Sequence, residues 1–419
     1  RAGGDGIRRS RFARCSTAHC RPVNRPALLW LGLNRDTASV AGAGLLMALG
    51  EELWKRFLPK YLESSGAPLL LVGAYGSARD LLDGLAQYPG GWISDRYGRR
   101  VGLQIFIGIA LVGYALLIAG RSWPPIFVGT VLALAWTSTA SPTVFAVIGD
   151  ALPPGRRAMG FSVQSILRRI PIAVAPVLGG MLIAARGILA GVRVGLAVTI
   201  GLALVTLMLV SQVRLGPPLQ SQSHSMRDVW RTLPQSLRRL LLSDILVRTC
   251  EALVDVFLVI YALDVVGIRA PQYGLLVSVQ MTTSILAYLP AARLADRIGR
   301  KPLVIATFVA FGLFPLAVVS ATSFAGLLAA FVVGGLRELG EPARKALIVD
   351  LARADLRGRS VGLYYLVRSL SITPAALVGG LLWRSSPASP FLIAAGFGLL
   401  GALVFAVTVD EATASGLMK

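Results

Sequence analysis

Carboxylates and guanidinium groups stand one helical turn apart inside apolar stretches of this sequence. Glu251 and Asp255 are four residues apart, and Arg248 lies three residues before Glu251. In a helix this spacing places the three side chains on one face. Two neighbouring carboxylates repel each other when both are ionised, so such a pair favours taking up a proton. The pattern indicates reversible binding of a proton or of a charged solute.

Other apolar stretches carry similar charges. Glu51 and Glu52 each precede a basic residue, Lys55 or Arg56, by four positions, which allows two ion pairs along one helix. Apolar surroundings penalise an unpaired charge, so each such residue is either paired in a static structural role, set in a wet vestibule, or functional. The candidates for binding a solute or a proton are Glu51, Glu52, Asp80, Arg168, Arg248, Glu251, Asp255, Arg337, Glu338, Glu341 and Arg368.

Asp80 is singled out by its neighbours. Arg79 and Asp83 share a helix face and are expected to pair, which turns Asp80 away from both. Residues 337–341, Arg-Glu-Leu-Gly-Glu, lie deep enough in their own stretch to reach a central cavity.

The composition of the chain indicates that these charges lie in membrane-spanning helices. The chain has 419 residues, 55% of them hydrophobic and only 15% charged, with a mean hydropathy of +0.67. That is too little charge to cover a water-exposed surface. Continuous apolar runs such as 127–147 and 303–319 have the roughly 20-residue length of a membrane-crossing helix. The predicted spans are 37–62, 68–90, 101–120, 124–149, 159–185, 189–213, 240–263, 271–292, 302–320, 324–349, 359–383 and 389–409.

Loops and tails divide the chain. Residues 1–36 form a basic tail that is expected to be disordered, residues 37–213 a first six-helix bundle, residues 214–239 a polar linker, residues 240–409 a second bundle, and residues 410–419 a C-terminal tail. The net charge of +21 comes largely from Arg and Lys in alternate short loops. This bias places those loops, the linker and both termini in the cytoplasm, and argues against nucleic-acid binding.

The two bundles repeat each other at an offset of about 200 residues. Phe57-Leu58-x2-Tyr61 matches the same pattern at 257–261, and Gly179-Gly180 matches the glycine pair at 379–380. A parallel repeat of six-helix units implies a binding site between them, near the bilayer midplane.

The loop after the second span reads Gly-x3-Asp-Arg-x-Gly-Arg-Arg at 91–100, and it is echoed at 292–301. This sequence resembles the signature of the major facilitator superfamily (MFS). The resemblance implies an all-α membrane protein with twelve transmembrane helices in two six-helix pseudo-repeats. It also implies that the loop carboxylates help to close the cytoplasmic side, Asp95 against the helix start near Arg359 and Asp296 against that near Met159. The alternative is that these charges only set the topology. The gating candidates are Asp95, Arg96, Gly98, Arg99, Arg100, Asp296, Arg297, Gly299, Arg300 and Lys301.

Arg168 and Arg368 occupy equivalent positions in the repeat. From the helix neighbours in the superfamily, we expect Arg168 to face Glu51 or Glu52. By the same reasoning Arg368 should face Glu251 or Asp255.

The resemblance implies transport by alternating access, and the intramembrane carboxylates point to proton coupling. Ala175-Pro176-x2-Gly179-Gly180 resembles part of a motif of proton-coupled exporters, which favours export of a small organic or anionic solute. The alternatives are proton-coupled uptake of an organic anion or nutrient, and a non-transporting sensor or partner protein on the same scaffold.

Other chemistry finds little support in the sequence. There is no phosphate-binding Gly-x4-Gly-Lys motif, both histidines (His19 and His224) lie in polar segments, and Cys15, His19 and Cys20 fit no common zinc spacing. We therefore predict no enzyme activity, no metal and no cofactor. The expected partners are the lipid bilayer, a small solute and protons, but not nucleic acid, and the protein is expected to be a monomer in the inner membrane.

Overall fold

The computed structural model describes residues 35–85, 93, 96–134, 136, 154–212, 230–231, 233–351 and 357–409, and throughout these it contains helices and no strands. In the first half the helices are α1 (Arg35–Glu52, then Lys55–Phe57 and Leu58–Ser64), α2 (Leu69–Leu85), α3 (Arg99–Ala119), α4 (Trp123–Leu134), α5 (Pro154–Arg186) and α6 (Ile188–Ser211). In the second half they are α7 (Gln235–Val254, then Asp255–Phe257, Leu258–Ile260 and Tyr261–Val265), α8 (Ala270–Ile298), α9 (Lys301–Ser320), α10 (Phe324–Leu336 and Glu341–Leu351), α11 (Arg357–Ile372 and Ala375–Trp383) and α12 (Ser389–Thr408). These segments confirm the predicted twelve-helix architecture.

Six of the helices in the described ranges are long and apolar enough to cross a membrane. Large apolar side chains also cover the outer faces: Leu286 is 70% exposed and Val407 73%. Such a surface is unfavourable in water but suits hydrocarbon, where helices satisfy their own backbone hydrogen bonds.

The first helix of each half breaks at the same place. The backbone angles at the breaks are nearly equal, φ −123° and ψ −26° at Trp54 against φ −116° and ψ −23° at Val254, and a 3₁₀ turn follows each. Each break rests on a glycine of the fifth helix of its half: a Cβ at Gly179 or Gly379 would overlap a backbone carbonyl oxygen, that of residue 53 or 253. The sequence repeat is therefore also a repeat of backbone geometry.

The halves meet along α2 with α11 and α5 with α8. Ser278 donates a hydrogen bond to the carbonyl oxygen of Ala173, and the Leu377 amide donates to Ser77 Oγ over 3.1 Å. We call the end of the bundle that carries Arg96–Arg100 and Arg300–Lys301 the basic end. The α5–α8 contacts lie nearer the other end, where Lys60 of α1 also pairs with Asp264 of α7.

Buried apolar residues form two cores. The larger one includes residues of both halves, such as Phe57, Tyr75 and Phe257. The smaller one, which includes Phe308 and Phe405, consists of residues 233–409 only. Among the described residues, the halves thus share one core, and the second half has a further core of its own.

Candidate functional site

Charged side chains inside the bundle fall into two groups. The interface group is Arg79 and Asp80 of α2 with Asp255 of α7. The C-half group lies on α7, α10 and α11 and consists of Asp244, Arg248, Glu251, Arg337, Glu341, Arg344 and Arg368.

The interface group joins the two halves. Arg79 Nη1 donates to Asp255 Oδ2 over 2.8 Å, and Arg79 Nε lies 3.4 Å from Asp80 Oδ1. Asp80 Oδ2 is buried and has no hydrogen-bond partner among the described residues. One guanidinium therefore serves two carboxylates. The expectation that Asp80 turns away from Arg79 was wrong, because Arg79 keeps Asp80 beside it while it reaches across to α7. The predicted pairing of Arg79 with Asp83 stays a prediction.

Asp255 reaches this group because it sits at the start of the 3₁₀ turn that interrupts α7. The break also separates it from Glu251, which contacts Arg248 and Arg337 instead. The two carboxylates were expected to interact closely on one helix face, but each has its own guanidinium partners.

Asp244 is the centre of the C-half group, and its side chain is completely buried. Its Oδ2 accepts from Arg344 Nη1 at 2.6 Å, from the Tyr364 hydroxyl at 3.0 Å and from Arg368 Nη1 at 3.4 Å. The prediction that Arg368 faces Glu251 or Asp255 was therefore wrong in its partner. Helix α11 brings Arg368 to Asp244, two turns closer to the start of α7.

Arg248 links α7 to α10. Its Nη1 donates to Glu251 Oε2 at 2.7 Å and its Nη2 to Glu341 Oε2 at 3.1 Å. Arg337 Nη1 lies 3.6 Å from Glu251 Oε1. The structure thus brings together four of the predicted residues. Helix α10 ends at Leu336 and begins again at Glu341, so Arg337 lies in the interruption.

Sequence reasoning missed Asp244, Arg344 and Tyr364. Asp244 stands four residues before Arg248 inside a predicted span, and Arg344 three residues after Glu341. The same helical spacing that selected their neighbours could have found them. The Tyr364 hydroxyl gave no comparable signal.

The two groups carry opposite excess charge. The C-half group has three carboxylates and four guanidinium groups, a formal excess of one positive charge. Lys345, which also contacts Glu341, is left out because its side chain is 61% exposed. The interface group has two carboxylates and one guanidinium, a formal excess of one negative charge.

The comparison with known families is decisive. A family model described as "Major Facilitator Superfamily" matches residues 40–250 and 240–417. The chain belongs to the major facilitator superfamily. It is therefore a multi-pass membrane protein and a secondary transporter, not an enzyme.

Individual relatives are distant. An uncharacterized MFS-type transporter of Methanocaldococcus jannaschii is 22% identical over 385 residues, which cover 89% of this chain and 94% of the relative. A POT family transporter solved with 5-aminolevulinic acid superposes with a TM-score of 0.75 at 13% identity, covering 92% of this chain and 97% of that one. The nucleoside transporter NupG gives 0.74 at 13% identity, with 90% and 100% covered. At these identities the two structures show a shared fold.

The remaining first-half candidates of this MFS chain are paired. The Tyr114 hydroxyl donates to Glu51 Oε1 at 2.7 Å, and Arg56 Nε donates to Glu52 Oε2 at 3.1 Å, as the spacing predicted. In the second half, Glu338, which lies between the two segments of α10, is 3.6 Å from Arg169 of α5. This is a third ion pair between the halves, after those of Arg79 and Lys60. The side chain of Arg168 lies outside the described residues, so its predicted pairing stays a prediction.

The MFS signature loops are described in part. Gly98 and Gly299 adopt φ of +88° and +87°, a left-handed conformation that glycine accommodates without strain. Arg96 and Arg100 are exposed, whereas Arg300 and Lys301 are half-buried. Asp95 and the side chains of Arg99, Asp296, Arg297, Met159 and Arg359 lie outside the described residues, so the gating role stays a prediction.

Proposed function

We propose that this chain is a proton-coupled transporter of a small organic anion that works by alternating access. The observation that carries the proposal is the pair of adjoining charged groups with opposite excess charge. The interface group supplies a proton site, and the C-half group supplies an anion site.

Proton binding belongs to the interface group. Two carboxylates that share one guanidinium in a buried setting carry a net negative charge, which a single proton removes. Asp80 is the natural acceptor because its Oδ2 is buried without a partner in the described part of the chain, whereas Asp255 Oδ2 receives Arg79 at 2.8 Å.

Anion binding belongs to the C-half group. A buried excess of positive charge is costly, and an incoming anion compensates it. Arginine suits this role because its planar guanidinium binds carboxylate and phosphate oxygens in pairs.

Coupling follows from the position of Arg79. This side chain bonds α2 of one half to α7 of the other, so a change in its contacts changes how the halves are held together. Glu251 and Asp255 lie one turn apart on α7, so the anion site and the proton site share a helix. Proton and anion can each bias the same two-state rearrangement, which is the requirement for coupling.

Topology and direction complete the proposal. By the excess of Arg and Lys, the basic end faces the cytoplasm, and so do both termini. The contacts of α5 with α8 would then close the outer side in this conformation. We propose export because the Pro-Gly-Gly segment of α5 resembles part of a motif of proton-coupled exporters.

The test is solute-driven proton movement in proteoliposomes that contain a trapped pH-sensitive dye. Phenylphosphonate and benzenesulfonate, which stay ionised and do not cross the bilayer unaided, are supplied on one side at a time. The proposal expects a pH change that depends on the anion, is absent from protein-free vesicles, and is lost in Asp80→Asn. If anions move without protons, the proton coupling is refuted; if no panel anion moves, a sensor on the transporter scaffold is favoured instead.

A further inference from the structure

Only one of the two oxygens of the Asp244 carboxylate accepts hydrogen bonds from the described residues. Its Oδ2 accepts from three donors, on α10 and α11, as described above. Its Oδ1 is buried without a hydrogen-bond partner among the described residues, and Arg248 Nε is 3.9 Å from it, too far for a hydrogen bond. A wholly buried acceptor that lacks a donor is unusual, because leaving such a group unpaired is costly.

Two guanidinium groups beside this carboxylate have unused donors as well. The Nε–H groups of Arg248 and Arg368 are buried, and no described residue accepts a hydrogen bond from them. Aromatic rings support both guanidinium groups: the Arg248 Cζ lies 5.1 Å from the centre of the Phe311 ring, and the Arg368 Cζ lies 4.7 Å from that of Tyr365.

The two arginines are partly exposed through other atoms of their side chains, although Asp244 is not. The side chains of Arg248 and Arg368 are 16% and 18% exposed, against 0% for Asp244. A solute would therefore meet the two arginines first and would reach Asp244 Oδ1 only with the atoms that it inserts between them.

These atoms define a chemical preference. Two N–H donors require oxygens that carry negative charge, while Oδ1 requires a hydrogen-bond donor and repels a bare oxyanion. We infer that Arg248 and Arg368 bind the anionic head of the transported solute, and that Asp244 selects a head that keeps an O–H or N–H of its own. A singly protonated phosphonate or phosphate monoester fits this pattern, whereas a sulfonate of the same shape and charge does not.

This inference rests on the proposed function, since it names the class of anion, but it is tested by binding rather than by transport. Methylphosphonate and methanesulfonate have the same shape, and at about pH 5.5 each carries close to one negative charge, but only the phosphonate holds an acidic proton. Calorimetric titration of the full chain in lipid nanodiscs with each anion gives the comparison without any mutation. One hydrogen bond to a charged group in place of a repulsion predicts roughly 10- to 100-fold tighter binding of methylphosphonate.

Substitutions test which residue causes the preference for methylphosphonate. Asp244→Asn presents an amide N–H to a sulfonate oxygen, so the preference should shrink to a few-fold at most, whereas Arg368→Gln should weaken both anions together. Arg193→Gln is the matched control, because this arginine lies on α6 in the other half and donates to the Gly120 carbonyl oxygen. It should leave both affinities unchanged.

The outcomes are distinct. Equal binding of the two anions to the unmodified protein, or no binding of methylphosphonate at about 10 mM, overturns the inference. A preference that survives in Asp244→Asn also overturns the role of this carboxylate. Proton-coupled flux of phenylphosphonate or benzenesulfonate without a binding preference for methylphosphonate would leave the proposed function intact and remove only the inference. Selective phosphonate binding without proton-coupled flux would support the inference and refute the proposed function.

Discussion

The two halves of the bundle have the same backbone breaks but very different charges. The break near Trp54 and the break near Val254 agree closely in backbone angles, and each rests on a glycine of the fifth helix of its half. Around the second break the side chains change. Asp244 and Arg248 replace Gly44 and Ala48.

Other equivalent positions show the same asymmetry. Asp255 takes the place of Lys55, which inverts the charge at the break itself. In the fourth helix of the second half, Arg337, Glu341 and Arg344 stand where the first half has Thr137, Ser141 and Val144. The comparison teaches that the repeat fixes how each half bends, while the larger group of buried charged side chains in the described part of the chain lies in one half.

The largest expected effect comes from breaking the buried pair that exists only in the second half. Arg344 and Asp244 are 1% and 0% exposed, so Arg344→Ala leaves a buried carboxylate without its main partner and should lower stability by about 3–5 kcal/mol. Thermal unfolding of the purified protein measures this. The double variant Asp244→Leu with Arg344→Met removes both charges and should regain much of the loss. Unchanged stability of Arg344→Ala would contradict the account.

Substitution of the two equivalent glycines that contact the backbone breaks should lower stability equally, and by less than Arg344→Ala does. A methyl group at Gly179 or Gly379 would overlap a backbone carbonyl oxygen at the break, so Gly179→Ala and Gly379→Ala should each cost about 1–3 kcal/mol. Gly201→Ala and Gly396→Ala are the matched controls, because a Cβ there meets no atom within 4 Å. If only one half is sensitive, the breaks are not equivalent supports. The readout is again thermal unfolding.

A change of function without a large change of stability is expected at the interface group. Asp80→Asn removes the proposed proton acceptor, so the pH dependence of transport should be lost and an imposed proton gradient should no longer concentrate the solute. Lys55→Gln, at the first-half position equivalent to Asp255, should keep both properties. The measurement is the initial rate of phenylphosphonate transport in proteoliposomes between about pH 5.5 and pH 8, a range that spans neutrality, with both proteins compared at each pH. An Asp80→Asn protein with the unmodified pH profile would exclude Asp80 from coupling.

The smallest effect is expected at Lys345. This residue contacts Glu341 at 3.6 Å, but its side chain is 61% exposed and the pair is screened by water. Lys345→Gln should change stability by less than about 1 kcal/mol and leave anion binding within a factor of two or so. A larger change in the thermal midpoint or in the calorimetric affinity would mean that the charge excess of the C-half group had been counted wrongly.

Much of this molecule could be predicted from the sequence. Apolar run lengths gave the twelve helices, since a span must have about 20 apolar residues. The offset of about 200 gave the repeat, which the angles at Trp54 and Val254 confirm. Spacing along single helices correctly paired Glu51 with Lys55 and Glu52 with Arg56. It also placed Arg248 on the helix face of Glu251, which it contacts.

Contacts between helices were harder to predict from the sequence. The bond from Arg79 to Asp255 depends on how α2 sits against α7 and on the break that turns Asp255, neither of which periodicity specifies. For the same reason Arg368 was assigned to the wrong carboxylate of α7. The superfamily resemblance named the neighbouring helices correctly, but it could not give their register.

The central claim is that one half of a symmetric scaffold binds an anion while the interface group binds the proton that drives it. The most direct measurement is phenylphosphonate distribution across proteoliposomes under an imposed proton gradient, with the unmodified chain and Asp80→Asn compared side by side. The account predicts concentration of phenylphosphonate against its own gradient by the unmodified chain, collapse of that accumulation with a protonophore, and mere equilibration through Asp80→Asn. Accumulation that survives the protonophore, or that Asp80→Asn still supports, would contradict it.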